Sequence, residues 1–552
     1  MQFSPENLPD DIPSLKGMVI SFSRENQRFC EENRHLSESQ HRYEMENKLL
    51  REQVLLMKAK LFGRKSEKLS PEEESEQQLL FDEPAEELEN DPDSEQAGAE
   101  QTIEVPAHTR KKAGRKPLPE NLPRVIMEHD LKEEEKVCAC GCTMERIGEE
   151  ISEQLEVIPA KMRVIRHVRY KYACKCCEGV EDDGPTVKIA PAPEQIIPKS
   201  MATPSLLAYI FTAKFVDALP FYRQEKIFAR IGVELSRTSM CTWAMKAAER
   251  CGPVLDMLHA EIRSGPLINA DETTVQVLDE PGRPSTSTSY MWVFRGGPPG
   301  KPGLIYHYHP SRASEVAETF LAGYRGYVQT DGYQGYNFLQ GLEGVEHVGC
   351  WAHARRKFVE VVQARGKKGK AGSADVALQY IQKLYRIEHE AKGRGLNGEE
   401  LSRERERTSK PVLEEFKAWL DKKVLQTPPK GLLGKAIAYT LGQWDRLVRY
   451  VDSPYLTPDN NLAENAIRPF VVGRKNWLFS GNAQGARASA ALYSLIETAK
   501  ANGLEPYSYL RYLFERLPHA HAEDEYRALL PQYLSPADLV AAQQKQKTLD
   551  PE

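Results

Sequence analysis

The sequence predicts a multidomain α+β protein. Three observations carry that reading: a length of 552 residues, charges that segregate into blocks, and a switch from helical to strand periodicity after Pro266. At about 100 to 200 residues per domain, the chain holds several domains and at least one large core. A composition of 40% hydrophobic and 28% charged residues is that of a globular protein slightly rich in charge. The formal charge, 74 minus 80 or −6, gives no hint of a polyanionic partner until its distribution along the chain is read. No apolar run approaches the roughly 18 residues of a membrane span, and the start MQFSPENLPDDIP lacks signal-peptide features, so no membrane partner and a cytoplasmic location are expected.

Residues 12–62 are expected to form a coiled coil. Leu15, Phe22, Phe29, Leu36, Tyr43, Leu50 and Met57 recur every seven residues. A second row, Val19, Asn26, Asn33, Gln40, Asn47, Val54 and Leu61, follows each by four. With the second row at a, buried amides weaken the coil but favour a parallel dimer in one register, so a homodimer or higher oligomer is expected. The alternative is one amphipathic helix packing on its own chain. Residues 71–104 follow as an acidic linker: from Pro71 to Glu100 there is no Lys or Arg. A basic arm, residues 105–125, then offers Arg110, Arg115 and Lys116 to the phosphates or minor groove of a duplex, or simply to the acidic linker before it.

Residues 126–200 hold six of the ten cysteines. Their clustering favours a metal over disulfides in a reducing compartment. Cys174 and Cys177 have standard C-x-x-C spacing. The first knuckle is tighter, so Cys138 and Cys142 compete for the fourth place beside Cys140 in a tetrahedral structural Zn²⁺ site on a small β unit. Cys176 lies within the second knuckle, whereas Cys30, Cys241, Cys251 and Cys350 are scattered singly.

Residues 201–255 read as helical and resemble a helix-turn-helix. Phe221 to Ile231 is amphipathic, Gly232 makes a turn, and Ser236 caps a second helix. That helix would present Arg237, Thr238 and Ser239 at its N-terminal end, where such motifs reach base edges. A plain helical hairpin has the same outline.

After Pro266 three strands (from Leu267, Tyr290 and Leu304), a helix (Ser314 to Tyr324) and a further strand from Gly326 give a β-β-β-α-β order. If the fourth strand lies beside the first, Asp271 and Asp331 come to one place. Hard oxygen ligands favour Mg²⁺ or Mn²⁺, and two such ions can activate a water or hydroxyl and stabilise the leaving oxygen of a phosphodiester. Such a site needs a third carboxylate. The candidate is Glu464 in PDNNLAENAIRP, on the first turns of a helix capped by Asp459 or Asn460, with Arg468 four residues on. Two basic groups flank these acids: His353, Arg355, Arg356 and Lys357, and Arg468, Arg474, Lys475, Asn476 and Trp477. Their cations suit phosphates, and Trp477 suits an unstacked base.

Several strings together, NADET, VQTDGY, DNNLAENAIRP, GRKNWLFSG and CWAHARRKF, resemble the transposases of the insertion sequence 66 family. KLFGRKSEKL, AGRKPLPENLPR and ISEQLEVIPAKMRVIRHVRYKYACKCCE extend the resemblance over nearly the whole chain. It implies a ribonuclease-H-like α/β catalytic core over residues 256–480, an all-α insertion at 365–455, and a helical C-terminal region at 481–552. It also implies a DDE triad of Asp271, Asp331 and Glu464. The implied reaction uses two Mg²⁺ or Mn²⁺ ions to cleave element ends and transfer the 3′-hydroxyl to target DNA, without a covalent enzyme intermediate. Double-stranded DNA is then the partner, with accessory proteins of the same element and a bacterial, nucleoid-associated setting. No Walker motif calls for ATP. The rival expectations are a repressor that binds related DNA without cutting it, and a ribonuclease-H-like repair nuclease.

Overall fold

In the computed structural model, which describes residues 11–62, 162–173, 187–365 and 371–547, the strand pattern that begins at Leu267 becomes one mixed sheet. The chain divides into two units, residues 84–192 and the rest. In the first, β1 (Lys171–Ala173) pairs antiparallel with β2 (Val187–Ile189), and Arg169 Nε donates to the Ala190 carbonyl at 2.7 Å. The linker, the arm residues Arg110, Arg115 and Lys116, and Cys138, Cys140, Cys142, Cys174, Cys176 and Cys177 lie outside the described residues.

The second unit opens with α1 (Ile12–Phe62), a single 51-residue helix. From Phe22 on its heptad row remains exposed: Phe29, Leu36, Tyr43 and Leu50 each keep more than half of their surface. Leu15, Met18 and Ser39 are half-covered, and so, toward the C-terminal end, are Met45, Leu49, Glu52 and Leu56. These last four recur at helical spacing, so this second stripe marks the side on which the chain itself packs. Glu52 Oε2 accepts from the Leu432 amide at 3.4 Å.

The helices α2 (Pro204–Phe215), α3 (Phe221–Arg230) and α4 (Arg237–Arg250) follow. Gly232, at φ +78°, makes the turn after α3. Ser236 Oγ accepts from the Ser239 amide at 3.1 Å and caps α4, whose Met240, Trp243, Ala244 and Ala247 enter the core. Arg237 and Thr238 stay exposed. The helix α5 (Gly252–Ser264) leads into the sheet.

The strands are β3 (Leu267–Asp279), β4 (Thr288–Gly296), β5 (Gly303–His309), β6 (Gly326–Gln329) and β7 (Val345–Val348), in the order β5-β4-β3-β6-β7. The first three form an antiparallel meander, and β6 and β7 run parallel to β3. Moving from β5 to a strand parallel to β3 requires a crossover, supplied by α6 (Glu315–Leu321). Phe320 of α6 stacks on Phe294 of β4, ring centres 3.7 Å apart, an aromatic contact worth roughly 1 kcal/mol beyond its buried area. β7 has no counterpart in the sequence reading.

The distal half of β3 alternates, with Val275 and Val277 buried and Thr274 and Gln276 exposed, whereas Ile268, Asn269 and Ala270 are buried consecutively, as in a strand covered on both faces. The free edge of β5 is capped by α14 (Ala483–Ala501). Ser494 Oγ accepts from the Tyr306 amide at 2.8 Å, and Thr498 Oγ1 accepts from the Leu304 amide at 3.0 Å. Hydroxyls on a buried helix thus satisfy edge amides that would otherwise recruit another strand.

Between β7 and residue 456 the described residues are helical. They comprise α7 (Trp351–Arg365), α8 (Ser373–Gly393), α9 (Gly398–Glu404), α10 (Lys410–Val424), α11 (Leu432–Gly442) and α12 (Trp444–Val448). Trp351, Phe358, Leu384, Phe416, Ile437 and Tyr450 form a hydrophobic cluster separate from that of the sheet. The helix α1 meets α7 here. The chain returns to the sheet through α13 (Asn461–Trp477), and β8 (Ser480–Asn482) pairs with the distal half of β3.

Candidate active site

The site begins with a strand ladder. β3 and β6 pair in parallel, Leu267 with Tyr327, Ile268 with Val328 and Asn269 with Gln329. Asp271 and Asp331 each lie two residues beyond the last pair, so the ladder carries both acids to the same end of neighbouring strands. Asp271 Oδ1 accepts from the Glu272 amide at 2.9 Å, and Asp331 Oδ1 accepts from the Tyr333 amide at 2.9 Å. A Cβ on Gly332 would overlap the Tyr439 ring of α11, so the turn after Asp331 tolerates only glycine against the helical region.

A buried amide network joins this ladder to α13. Asn269 Nδ2 donates at 3.0 Å to Gln329 Oε1 and at 3.0 Å to Asn460 Oδ1. Asn460 Nδ2 donates to the Ala270 carbonyl at 2.9 Å, and Gln329 Nε2 to the Thr457 carbonyl at 2.8 Å. All three side chains are at most 1% exposed. Buried amides are costly unless paired, so a network this complete fixes the start of α13, and with it Glu464, against the sheet. Each acid follows one of these amides by two or four positions.

Glu464 lies in the first turn of α13. Its Oε1 is 3.7 Å from His353 Nδ1, and its Oε2 is 4.0 Å from an Arg356 guanidinium nitrogen, both on α7. Its partners are therefore on α7, and no ion pair with Arg468 forms. Burial pushes the Asp271 carboxyl up to about 7, with the charges of Glu272, Glu464 and Asp331 adding to the effect. The charges of two sequence-remote carboxylates, Glu464 and Asp331, thus both reach Asp271. Glu272 is also raised by burial, against the lowering effect of its hydrogen bond from Tyr336 and of the Arg312 charge. Tyr336 Oη donates to Glu272 Oε2 at 2.6 Å, and Arg312 Nε to Oε1 at 2.6 Å. Burial lowers His353, opposed by the Glu464 charge.

Family comparisons bear on the whole chain. Residues 199–488 match the model described as Transposase IS66 family, and 494–532 match the IS66 C-terminal element. Residues 135–178 match the zinc-finger binding domain of transposase IS66, and 49–126 match Transposase C of IS166 homeodomain. The chain belongs to the IS66 transposase family. Two relatives in Sinorhizobium fredii are described as uncharacterised. Protein y4jD is 35% identical over 537 residues, covering 94% of this chain and 95% of its own. Protein y4qI is 32% identical over 453 residues, covering 78% and 81%. Membership places the protein among DNA-binding transposases, and the zinc-finger match, which spans all six clustered cysteines, supports structural zinc. Among the described residues no helix is long and apolar enough to cross a membrane.

The remaining sequence candidates of this transposase sort by surroundings. Arg356, Lys357, Arg468, Lys475 and Asn476 are exposed, and Arg355 is half-buried. Arg474 reaches back to β3, donating to Thr274 Oγ1 at 3.0 Å. Trp477 departs from its expected role as a stacking platform. It is half-buried, edge-on to Phe215 and tilted against Tyr493, with Lys214 Nζ 4.3 Å from its ring centre. Gly473, one helical turn back, leaves room for that indole, since a Cβ there would overlap it. Sequence reasoning missed Glu272, Asn269, Gln329 and Asn460's inward role. Their only signal was position, immediately beside or shortly before each acid.

Proposed function

We propose that this chain is a DDE transposase whose ribonuclease-H-like core cleaves the ends of its element and joins them to target DNA, with Asp271, Asp331 and Glu464 holding two Mg²⁺ or Mn²⁺ ions. The observation that carries the reading is the delivery of three carboxylates by β3, the turn after β6 and α13, with the charges of Glu464 and Asp331 both acting on buried Asp271. Such a set of hard oxygen donors fits a hard divalent cation. It also contains an oxygen, Glu464 Oε1, that is buried with no hydrogen-bond partner. When bound, the metal ions supply charge for the attacking and leaving oxygens of the phosphodiester.

The chain's own residues do the rest. The amide network and the β3–β6 ladder hold the carboxylates in register, so binding does not have to order them. Arg312 and Tyr336 keep Glu272 engaged, leaving Asp271 to face the cluster. Arg356, Lys357, Arg468 and Lys475 offer phosphate contacts around the site, and Arg237 offers one at the start of α4. Asp459, adjacent to the network, is raised by burial and bonded to Tyr385 of α8, tying the helical region to the start of α13. The exposed heptad row of α1 serves a parallel dimer that would bring two active sites to two element ends.

The test is nicking of end-containing DNA with Mn²⁺ by the parent protein and by Asp271→Ala. Binding unchanged within about twofold and nicking lost by several orders of magnitude is the expected result. Absence of nicking by both proteins would leave a DNA-binding repressor. Equal cutting of unrelated structured duplex would point to a repair nuclease.

A further inference from the structure

Beside the acidic cluster, on the α7 side of Glu464, stands a second donor set of different chemistry. Cys350 immediately precedes α7 and His353 lies on its first turn, a C-x-x-H spacing that brings sulfur and imidazole to one end of the helix. One donor atom each from Cys350, His353 and Glu464 lies within 4.8 Å of the other two. His353 Nδ1 and Glu464 Oε1 face each other at 3.7 Å, too far for a hydrogen bond, and both are buried without a partner. Ligands bound tetrahedrally at about 2.0 to 2.3 Å stand roughly 3.3 to 3.7 Å apart, so this gap is the width that one shared cation fills.

The sulfur is placed for the same role. Cys350 is 2% exposed, and its Sγ accepts from the Asn460 amide at 3.2 Å. It also sits where α7 begins, with the positive end of that helix dipole directed at it. Burial raises the Cys350 thiol to about 12 against the lowering effect of that N–H···S bond, so a soft cation binds here by displacing the thiol proton. Sulfur and imidazole select Zn²⁺-class ions over Mg²⁺, which demands oxygen.

We propose that Cys350, His353 and Glu464 form a cation site for thiophilic divalent ions, represented by Zn²⁺, Cd²⁺ and Co²⁺, which shares Glu464 with the acidic cluster. Glu464 then stands between two ion chemistries, hard on the side of the aspartates and soft on the side of α7. An ion held by the cysteine and histidine draws the shared carboxylate toward α7 and away from Asp271 and Asp331, so a soft cation antagonises the hard one. That antagonism rests on the proposed catalytic role of Glu464, whereas occupancy of the site does not.

Equilibrium dialysis of the full-length, finger-loaded protein against Zn²⁺ tests this, because the finger contributes equally to every variant and cancels. The parent should retain one more equivalent per chain than Cys350→Ser, His353→Gln or Glu464→Gln, and Asp271→Asn should retain it. With Co²⁺, the thiolate charge-transfer band of the extra equivalent should vanish in Cys350→Ser. Circular dichroism checks folding, and His353→Gln, at a partly exposed position, stands in if the cysteine variant unfolds. Equal stoichiometry in the parent and in folded His353→Gln overturns the proposal, as does an extra equivalent that is lost in Asp271→Asn but kept in Cys350→Ser. Nicking by the same Asp271→Asn protein reports separately on the catalytic reading, so either can fail alone.

Discussion

The sheet and the helical region between β7 and α13 build separate hydrophobic clusters, yet each delivers part of one site by different means. The sheet positions Asp271 and Asp331 by backbone register, which the ladder from Leu267 and Tyr327 onward sets without help from the acids themselves. The helical region positions Glu464, His353 and Arg356 by where two helices begin, and those starts depend on side chains. Trp351, the first residue of α7, donates from Nε1 to the Leu447 carbonyl at 2.9 Å, and its backbone amide donates to the Pro458 carbonyl at 2.9 Å. Asn460 closes the circuit to the sheet. A site half built on a ladder and half on side-chain contacts should fail asymmetrically when contacts are removed.

The largest effect on stability is expected at Asn460. Asn460→Ala strands the Asn269 amide and the Ala270 carbonyl, each loss costing about 1–3 kcal/mol. Denaturant unfolding should therefore show a drop of roughly 2–4 kcal/mol, with nicking impaired more than DNA binding. A drop under about 0.5 kcal/mol would show that α13 is seated by its apolar face alone.

Next comes the ladder side, read through pH. Burial and neighbouring charge raise the Asp271 carboxyl from 3.8 to about 7. The folded state therefore binds more protons than the unfolded one between those values, and the contribution of this residue to stability falls as pH rises through that window. In metal-free protein Asp271→Asn should match the parent near pH 4 and exceed it at pH 8, by at most about 4 kcal/mol at about 1.4 kcal/mol per unit. Thermal melts at the two pH values check this. A variant no more stable at pH 8 would mean that the Asp271 carboxyl is better hydrated in solution than its burial implies.

Smaller effects probe the outer surfaces. Leu36→Glu, on the exposed heptad row and away from the Met45–Leu56 stripe, should shift the oligomer toward monomer in sedimentation while leaving the melting temperature of the core within about 2 °C. An unchanged sedimentation coefficient would remove the coil as the association surface. Lys475→Ala should weaken DNA binding modestly and equally across sequences, reducing the slope of log affinity against log salt by about 1. A sequence-selective loss would instead place it at a base edge.

Much of the site was legible because its signals are local. The strand starting at Leu267, the cap at Ser236 and the placement of Glu464 at a helix start are short-range patterns of period and capping. The buried amides were not legible. Asn269 in a strand, Gln329 before an acid and Asn460 in a polar turn read individually as ordinary surface or turn residues, and only their meeting makes them a core feature. Trp477 was misjudged for the mirror reason. Its cationic neighbours in sequence suggested an open face, but Phe215, Lys214 and Tyr493, all from other elements, enclose it.

By itself the sequence determined the periodicities, the cap at Ser236 and the family to which the chain belongs, because each of these is written in spacing and residue type. Tertiary structure alone decided which stripe of α1 packs on the chain, that β7 completes the sheet, and that Glu464 lies beside His353 and the sulfur of Cys350. The first and last of those outcomes depend on contacts between residues more than a hundred positions apart, and β7 on its pairing with β6. Such contacts are settled by how two separate cores pack, and no local pattern encodes them.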